Sequence, residues 1–112
     1  MAKYETSLRG NFGNVISTLH NEIMNGSLSV SFEDSSSFFS NGVKVEVRVY
    51  ERYSWIGSNR LSLTVTLIDN GEKLKLSAIT AGGSNGIFFK INTFGEEAFL
   101  GKVREAVEKI RR

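Results

Sequence analysis

The sequence predicts one α+β domain spanning residues 1–112, in which an antiparallel sheet of five to six strands carries two helices on one face. Three observations predict it. A chain of 112 residues is too short to divide into two stable cores. Apolar residues recur at helical spacing near both ends, and between these segments they alternate with polar residues. The expected order is strand, helix, four or five strands, helix.

A short strand over residues 3–9 and an amphipathic helix over residues 11–25 are predicted first. Asn11 has the chemistry of an N-cap, and Gly26 that of the residue following a helix. The helical pattern is carried by five apolar residues at spacings of one, three and four: Phe12, Val15, Ile16, Leu19 and Ile23.

Alternation with a period of two then predicts consecutive strands. Asn70-Gly71 lies between two alternating runs, which predicts a hairpin. A last strand is expected around residues 87–91, after a glycine-rich turn over residues 81–86. The apolar positions of the earlier runs are expected to face the core: Leu28, Val30 and Phe32; Val43, Val45, Val47 and Val49; Leu61, Leu63, Val65 and Leu67.

The second helix is predicted to begin with a capping box formed by Thr93 and Glu96. Its apolar stripe contains Leu100, Val103 and Val107. Since every strand has one apolar and one polar side, both helices should cover the same sheet face and leave the other open. This order resembles helix-grip and TATA-binding-protein-like folds, a likeness of topology that implies no function.

The composition predicts no catalytic, metal or cofactor site. The chain has no cysteine and a single histidine, His20, which is expected to be solvated or at the boundary between core and solvent and cannot build a zinc site alone. No Ser-His-Asp set or nucleophile elbow is present. The glycine-rich turn lacks the Lys-Ser/Thr ending of a phosphate loop, and a strand is expected after it where such a loop requires a helix.

No segment has the length and hydropathy of a signal peptide or a membrane span, so a cytoplasmic protein without membrane contact is expected. The net charge of +2 gives no general support for nucleic-acid binding. The positive potential near the basic and aromatic residues is also weakened by three acidic residues, Glu33, Glu46 and Glu51.

The most informative stretch is residues 48–55, where the alternation falters because Glu51 occupies a position expected to face the core. Either the strand has passed beyond the core, or a bulge re-aims its side chains. In both cases Arg48, Tyr50 and Arg52 are expected on the open face. The predicted binding residues are Arg48, Tyr50, Arg52 and Trp55, joined by Lys44, Thr64, Thr66, Lys73 and Lys75.

Two functional hypotheses follow. The first is a non-enzymatic binding module whose open sheet face meets a protein partner or a second copy of the chain, since Tyr and Arg are enriched at interfaces. The second is a small-ligand protein with a cleft between the sheet and the C-terminal helix, lined by Phe88, Phe89, Phe99 and Trp55. Nucleic-acid binding ranks third, and an enzyme ranks last.

Two segments also carry a resemblance. Residues 48–63, RVYERYSWIGSNRLSL, and residues 77–100, SAITAGGSNGIFFKINTFGEEAFL, are similar to a small bacterial family known only as a domain of unknown function. The likeness runs almost from end to end. It implies a bacterial, intracellular protein, with no assigned activity and no functional residues to transfer.

Overall fold

A computed structural model describes residues 1–26, 29–54, 59–82 and 89–112, and it confirms the α+β class and the predicted order of elements. Within these ranges the strands are β1 Ala2–Leu8, β2 Val30–Ser40, β3 Val43–Ser54, β4 Asn59–Asp69 and β5 Leu74–Gly82. The helices are α1 Phe12–Asn25 and α2 Phe89–Arg111. The likeness to helix-grip folds stays a prediction.

All described strands belong to one antiparallel sheet with the order β1-β5-β4-β3-β2. Strands β2 to β5 each pair with their neighbour in the chain. The N-terminal strand β1 lies beside β5, so that Leu8 is opposite Leu74. The chain therefore leaves β1 and β2 as the two edges of the sheet.

Within the described residues, two Asn-Gly pairs lie in turns between strands. Asn41 and Gly42 join β2 to β3 with φ angles of 53° and 79°, the left-handed conformation that a two-residue hairpin turn of type I′ requires. The hairpin predicted at Asn70-Gly71 is confirmed. There the Asp69 carboxylate accepts a hydrogen bond from the Gly71 amide at 2.9 Å, and Gly71 has a φ of 94°.

Both helices bury one apolar side against the sheet and against each other. The N-cap of α1 is confirmed, because the Asn11 side chain accepts a hydrogen bond from the Asn14 amide at 3.0 Å. The helices contribute these residues to the core: Val15, Ile16, Leu19 and Ile23 from α1, and Phe99, Leu100, Val103, Ala106 and Val107 from α2. They meet the buried leucines and valines of β4 and β5.

The predicted last strand and the predicted start of the second helix are wrong. The helix α2 begins at Phe89, so residues 89–91 are helical and do not form a strand. Thr93 lies inside this helix, which excludes the capping box predicted with Glu96. One of the two arguments against a phosphate loop also fails, since a helix does follow the glycine-rich turn. Residues 83–86 of that turn and residues 87–88 of the predicted strand lie outside the described residues, as does Leu28.

Candidate interaction surface

The two faces of the sheet differ in what lies on them. We call the face against which the helices pack the covered face, and the opposite one the uncovered face. On β4 the covered face carries Leu61, Leu63, Val65 and Leu67, none more than 2% exposed. Residues directly opposite each other in an antiparallel pair point to the same face. The strand register therefore shows on which face each of the remaining sheet residues lies.

The uncovered face is organised in crosswise rows, each taking one residue from every strand. Across the sheet from β2 to β1, the register gives three central rows: Asp34, Val49, Thr64, Ile79 and Lys3; Ser36, Val47, Thr66, Ser77 and Glu5; Phe38, Val45, Ile68, Lys75 and Ser7. The middle of each row is mainly β-branched. Asp34 lies on the β2 edge, and Lys3 and Glu5 lie on the β1 edge, whereas Lys75 lies on the interior strand β5.

This apolar centre is accessible to solvent. Ile79 is 39% exposed, and Phe38, at the β2 edge of the same face, is 62% exposed. The valines of β3 at positions 43, 45, 47 and 49 are half-buried between their neighbours within the sheet. An apolar patch with a polar rim is the composition found at protein interfaces.

The predicted orientation of β3 is wrong. Tyr50 lies opposite Leu63, Arg48 opposite Val65 and Arg52 opposite Leu61, which places all three on the covered face. Tyr50 is 1% exposed. The valines that were expected in the core therefore lie on the uncovered face.

The predicted orientation failed because either side of β3 is able to face the core. A valine series is more apolar than a series containing Glu, Arg and Tyr, but the Tyr50 ring covers more area than a valine does. The charged groups beside it can satisfy each other. The one signal against the prediction was Glu51, because an acid in the odd-numbered series shows that this series is not uniformly apolar.

A bulge does occur, but in β2. The register between β2 and β3 shifts between Phe32 and Asp34, so Glu33 is the extra residue. Before the bulge, Val30 and Phe32 face the covered side as predicted, opposite Arg52 and Tyr50. After it the alternation is reversed, and Asp34 reaches the uncovered face.

On the covered face, Arg48 and Tyr50 belong to a polar network beside α1. The Tyr50 hydroxyl lies 2.9 Å from Nδ1 of His20, and the Arg48 guanidinium lies 3.3 Å from the same nitrogen. Arg48 Nε donates to Glu46 at 2.8 Å, and the Ser37 hydroxyl donates to the other oxygen of this carboxylate. The partners of Arg48 and Glu46 are thus supplied by the chain itself.

The surroundings of this network shift the pKa values of its side chains. Burial and the neighbouring Arg48 charge lower the pKa of His20, which favours the neutral ring. Burial raises the pKa of Tyr50. For Glu46, burial acts to raise the pKa, but hydrogen bonds from Ser37 and Arg48 outweigh it and the net pKa is lowered. Glu46 therefore remains ionised beside Arg48.

Arg52 has a structural contact with α2. It donates a hydrogen bond to the Gly95 carbonyl at 3.0 Å, and its guanidinium lies 5.1 Å from the centre of the Phe99 ring. Burial lowers its pKa. Trp55, the fourth predicted binding residue, lies outside the described residues.

The remaining residues that were expected on the open sheet face do not all lie there. Thr64, Thr66 and Lys75 lie on the uncovered face as expected. Lys44 is opposite Asp69 on the covered side, with its ammonium group 5.8 Å from the centre of the Phe12 ring. Lys73 precedes β5 and is exposed.

The predicted ligand cleft is only partly described. Phe99, one of its expected lining residues, is fully buried in the core. Phe88 is outside the described residues, and Phe89 is described only as the start of α2. On the uncovered face, an open depression of about 410 Å³ lies beside β1 and is lined in part by Glu5, Thr66 and Lys75. Its openness suits contact with a surface better than enclosure of a small molecule.

Neither metal binding nor a membrane span finds support in the described part of the chain. No group of three or more His, Cys, Asp or Glu side chains there is arranged to hold a metal ion. Among its helices, neither has the apolar length needed to cross a bilayer.

The fold and the surface together define an α+β protein in which the described helices cover one sheet face, while the other face has an apolar centre and a polar rim. The chain belongs to a family of unknown function, DUF6054, whose model matches residues 1–111. It has no significant match among curated proteins. Among solved structures it is similar to TTHA0849 from Thermus thermophilus, with 10% identity, 99% of each chain covered and a TM-score of 0.40, too low to support an argument.

Proposed function

We propose that this protein is a non-enzymatic interaction module that docks a folded protein on its uncovered sheet face. The observation that carries the proposal is the apolar centre of that face, formed by Val47, Val49, Thr64, Thr66 and Ile79, with no helix over it among the described residues. Covering such a surface removes apolar area from water, which is the main favourable term in protein association.

The chemistry of the surface restricts its partner. The centre is mainly β-branched, and its first row ends in Asp34 on one side and Lys3 on the other. A partner that fits presents an apolar surface with a basic group and an acidic group at matching ends. Charge at the rim contributes to orientation and association rate more than to affinity.

The covered face offers less support for a binding site. Arg48, Glu46, Ser37, Tyr50 and His20 already contact one another. A ligand there would have to replace these contacts, whereas a partner on the uncovered face replaces only water. A cytoplasmic location, predicted from the sequence, stays part of the proposal and can be tested by cell fractionation.

Site-specific photo-crosslinking in the cells that produce the protein tests this proposal. A benzophenone-bearing amino acid replaces Thr66 at the centre of the uncovered face, and a control carries it at Glu108, which is exposed on α2. We expect a discrete adduct from Thr66, with its second component identified by mass spectrometry. This adduct should be lost when Val47→Lys is introduced, because the lysine places a charge in the apolar centre.

The Val47→Lys variant must retain the fold, which circular dichroism and thermal unfolding would check. A Thr66 probe that gives no adduct beyond the Glu108 control would contradict the proposal. An adduct that persists unchanged in folded Val47→Lys protein would contradict it as well.

A further inference from the structure

The uncovered face carries opposite charges at the two ends of a single crosswise row. Asp34 on the β2 edge and Lys3 on the β1 edge are separated by Val49, Thr64 and Ile79. Asp34 is exposed, and the Lys3 side chain retains 60% of its accessible surface although it pairs with Glu5 at 3.8 Å. A surface of this kind can be complementary to itself.

From this charge pattern, and resting on the proposed function, we infer that the partner docked on the uncovered face is a second copy of this chain. The two sheets pack face to face around a two-fold axis that runs parallel to the strands. Such a rotation exchanges the β1 and β2 edges but leaves the position along the strands unchanged. Each Asp34 then meets Lys3 of the second copy, and the contact occurs twice.

The remaining rows are compatible with the same rotation. In the second row Glu5 meets Ser36, and in the third row Lys75 meets Val45, so like charges are not opposed in these three rows. A two-fold axis perpendicular to the strands would instead stack each edge on the same edge of the other copy. Asp34 could not then reach Lys3, and the complementarity would be lost.

The side chains of the centre also suit packing between two sheets. Facing sheets lie about 10 Å apart, a distance that Val, Thr and Ile side chains from the two copies can span together. Five strands roughly 4.8 Å apart and three rows roughly 6.7 Å apart give a central face of roughly 500 Å² per copy. Two such faces together bury less than a standard specific interface, so we expect a weak dimer that dissociates in the micromolar range.

Charge exchange between copies, followed by sedimentation equilibrium of the full chain, tests this arrangement. Asp34→Lys alone and Lys3→Asp alone each replace two attractive contacts by two repulsive ones. Each should weaken the homodimer by about tenfold. An equimolar mixture of the two variants should recover the wild-type dissociation constant, because every contact between the unlike copies is again attractive. Glu108→Lys changes the net charge as Asp34→Lys does and should have no effect.

The possible failures separate this inference from the proposed function. A wild-type chain that stays monomeric throughout the micromolar range would overturn the second-copy inference, while crosslinking at Thr66 would still decide whether the face binds another protein. A dimer that Val47→Lys abolishes, but that the charge variants and their mixture leave unchanged, would overturn the orientation and retain the face. An equal effect of Glu108→Lys would also overturn the specific Asp34–Lys3 contact.

Discussion

Tyr50 buries its ring beneath the helix layer, and its hydroxyl reaches His20 at the margin of that layer. A buried hydroxyl without a partner costs free energy, so this contact is part of what allows a tyrosine in the core. The contact with His20 explains why the side of β3 that carries charged residues can be buried. At the scale of single residues, satisfied polar groups therefore allow this side of β3 to be buried.

Removing the Tyr50 hydroxyl measures this contribution. Tyr50→Phe is expected to lower the free energy of unfolding by about 1 kcal/mol, since the hydrogen bond between the Tyr50 hydroxyl and His20 Nδ1 is lost. Chemical denaturation of Tyr50→Phe, His20→Phe and the double variant would give the coupling between the two residues. Strictly additive effects of the two substitutions would show that the hydrogen bond contributes nothing.

His20 also makes stability depend on pH. Its pKa is lowered in the folded protein by burial first and by the Arg48 charge second. The unfolded chain, with a histidine pKa near the ordinary value of about 6.5, then binds the proton more readily. The contribution of His20 to stability is complete above the unfolded pKa and is lost as the pH falls through the lower, folded pKa.

We therefore expect the wild-type protein to lose more stability than His20→Gln when the pH is lowered from near neutral through the range in which histidine titrates. Free energies of unfolding at a series of pH values would show this difference. Glu22 and Glu46 also have lowered pKa values, but they are present in both proteins and their effect cancels in the comparison. Parallel curves for the two proteins would contradict the account.

At the scale of elements, local sequence signals succeeded where the physical cause was local. Asn11 caps α1, and the spacing of Val15, Ile16 and Leu19 forms its buried side. Asn70-Gly71 forms the predicted hairpin. These features depend on a few neighbouring residues, so the sequence alone was sufficient to predict them.

The orientation of β3 depends on more distant contacts. Residues of two kinds alternate along β3, but this pattern alone does not show which side faces the helices. The register with β4 determines that side. The bulge at Glu33 likewise appears only when β2 is paired with β3. For these reasons the predicted site residues Arg48, Tyr50 and Arg52 were assigned to the wrong sheet face, and Asp34, Lys3 and the valines of the uncovered face were missed.

The N-cap of α1 provides a prediction for one element. Asn11→Ala should destabilise the protein by about 1 kcal/mol, because the Asn14 amide loses its hydrogen-bond acceptor. Asn21→Ala is the matched control, since Asn21 is exposed in the same helix. Thermal unfolding of both variants checks the prediction, and similar melting temperatures would indicate that the cap does not contribute.

At the scale of the whole molecule, the two helices can shelter only one side of a five-stranded sheet. The other side keeps Val45, Val47, Val49 and Ile68 near solvent, together with the exposed Phe38 and Ile79. A second copy with the proposed two-fold axis would complete the molecule as four layers, with the helices outside and the two sheets in contact. Each apolar face would then be covered by the other.

The sequence contains no cysteine, which permits a direct test of this arrangement. A single thiol can be introduced at Val47 on the uncovered face or at Val65 on the covered face, by the same Val→Cys substitution. The two positions are on neighbouring strands, and both were expected in the core from the sequence. The structure assigns them to opposite faces of the sheet.

The decisive measurement is the rate at which a maleimide reagent modifies the thiol in Val47→Cys and in Val65→Cys under native, dilute conditions. We expect rapid modification at position 47 in dilute protein. Modification at this position should become slower as the protein concentration rises and the faces associate, whereas position 65 should be strongly protected at every concentration. Protection of both thiols in dilute protein, or faster modification at position 65, would contradict these expectations.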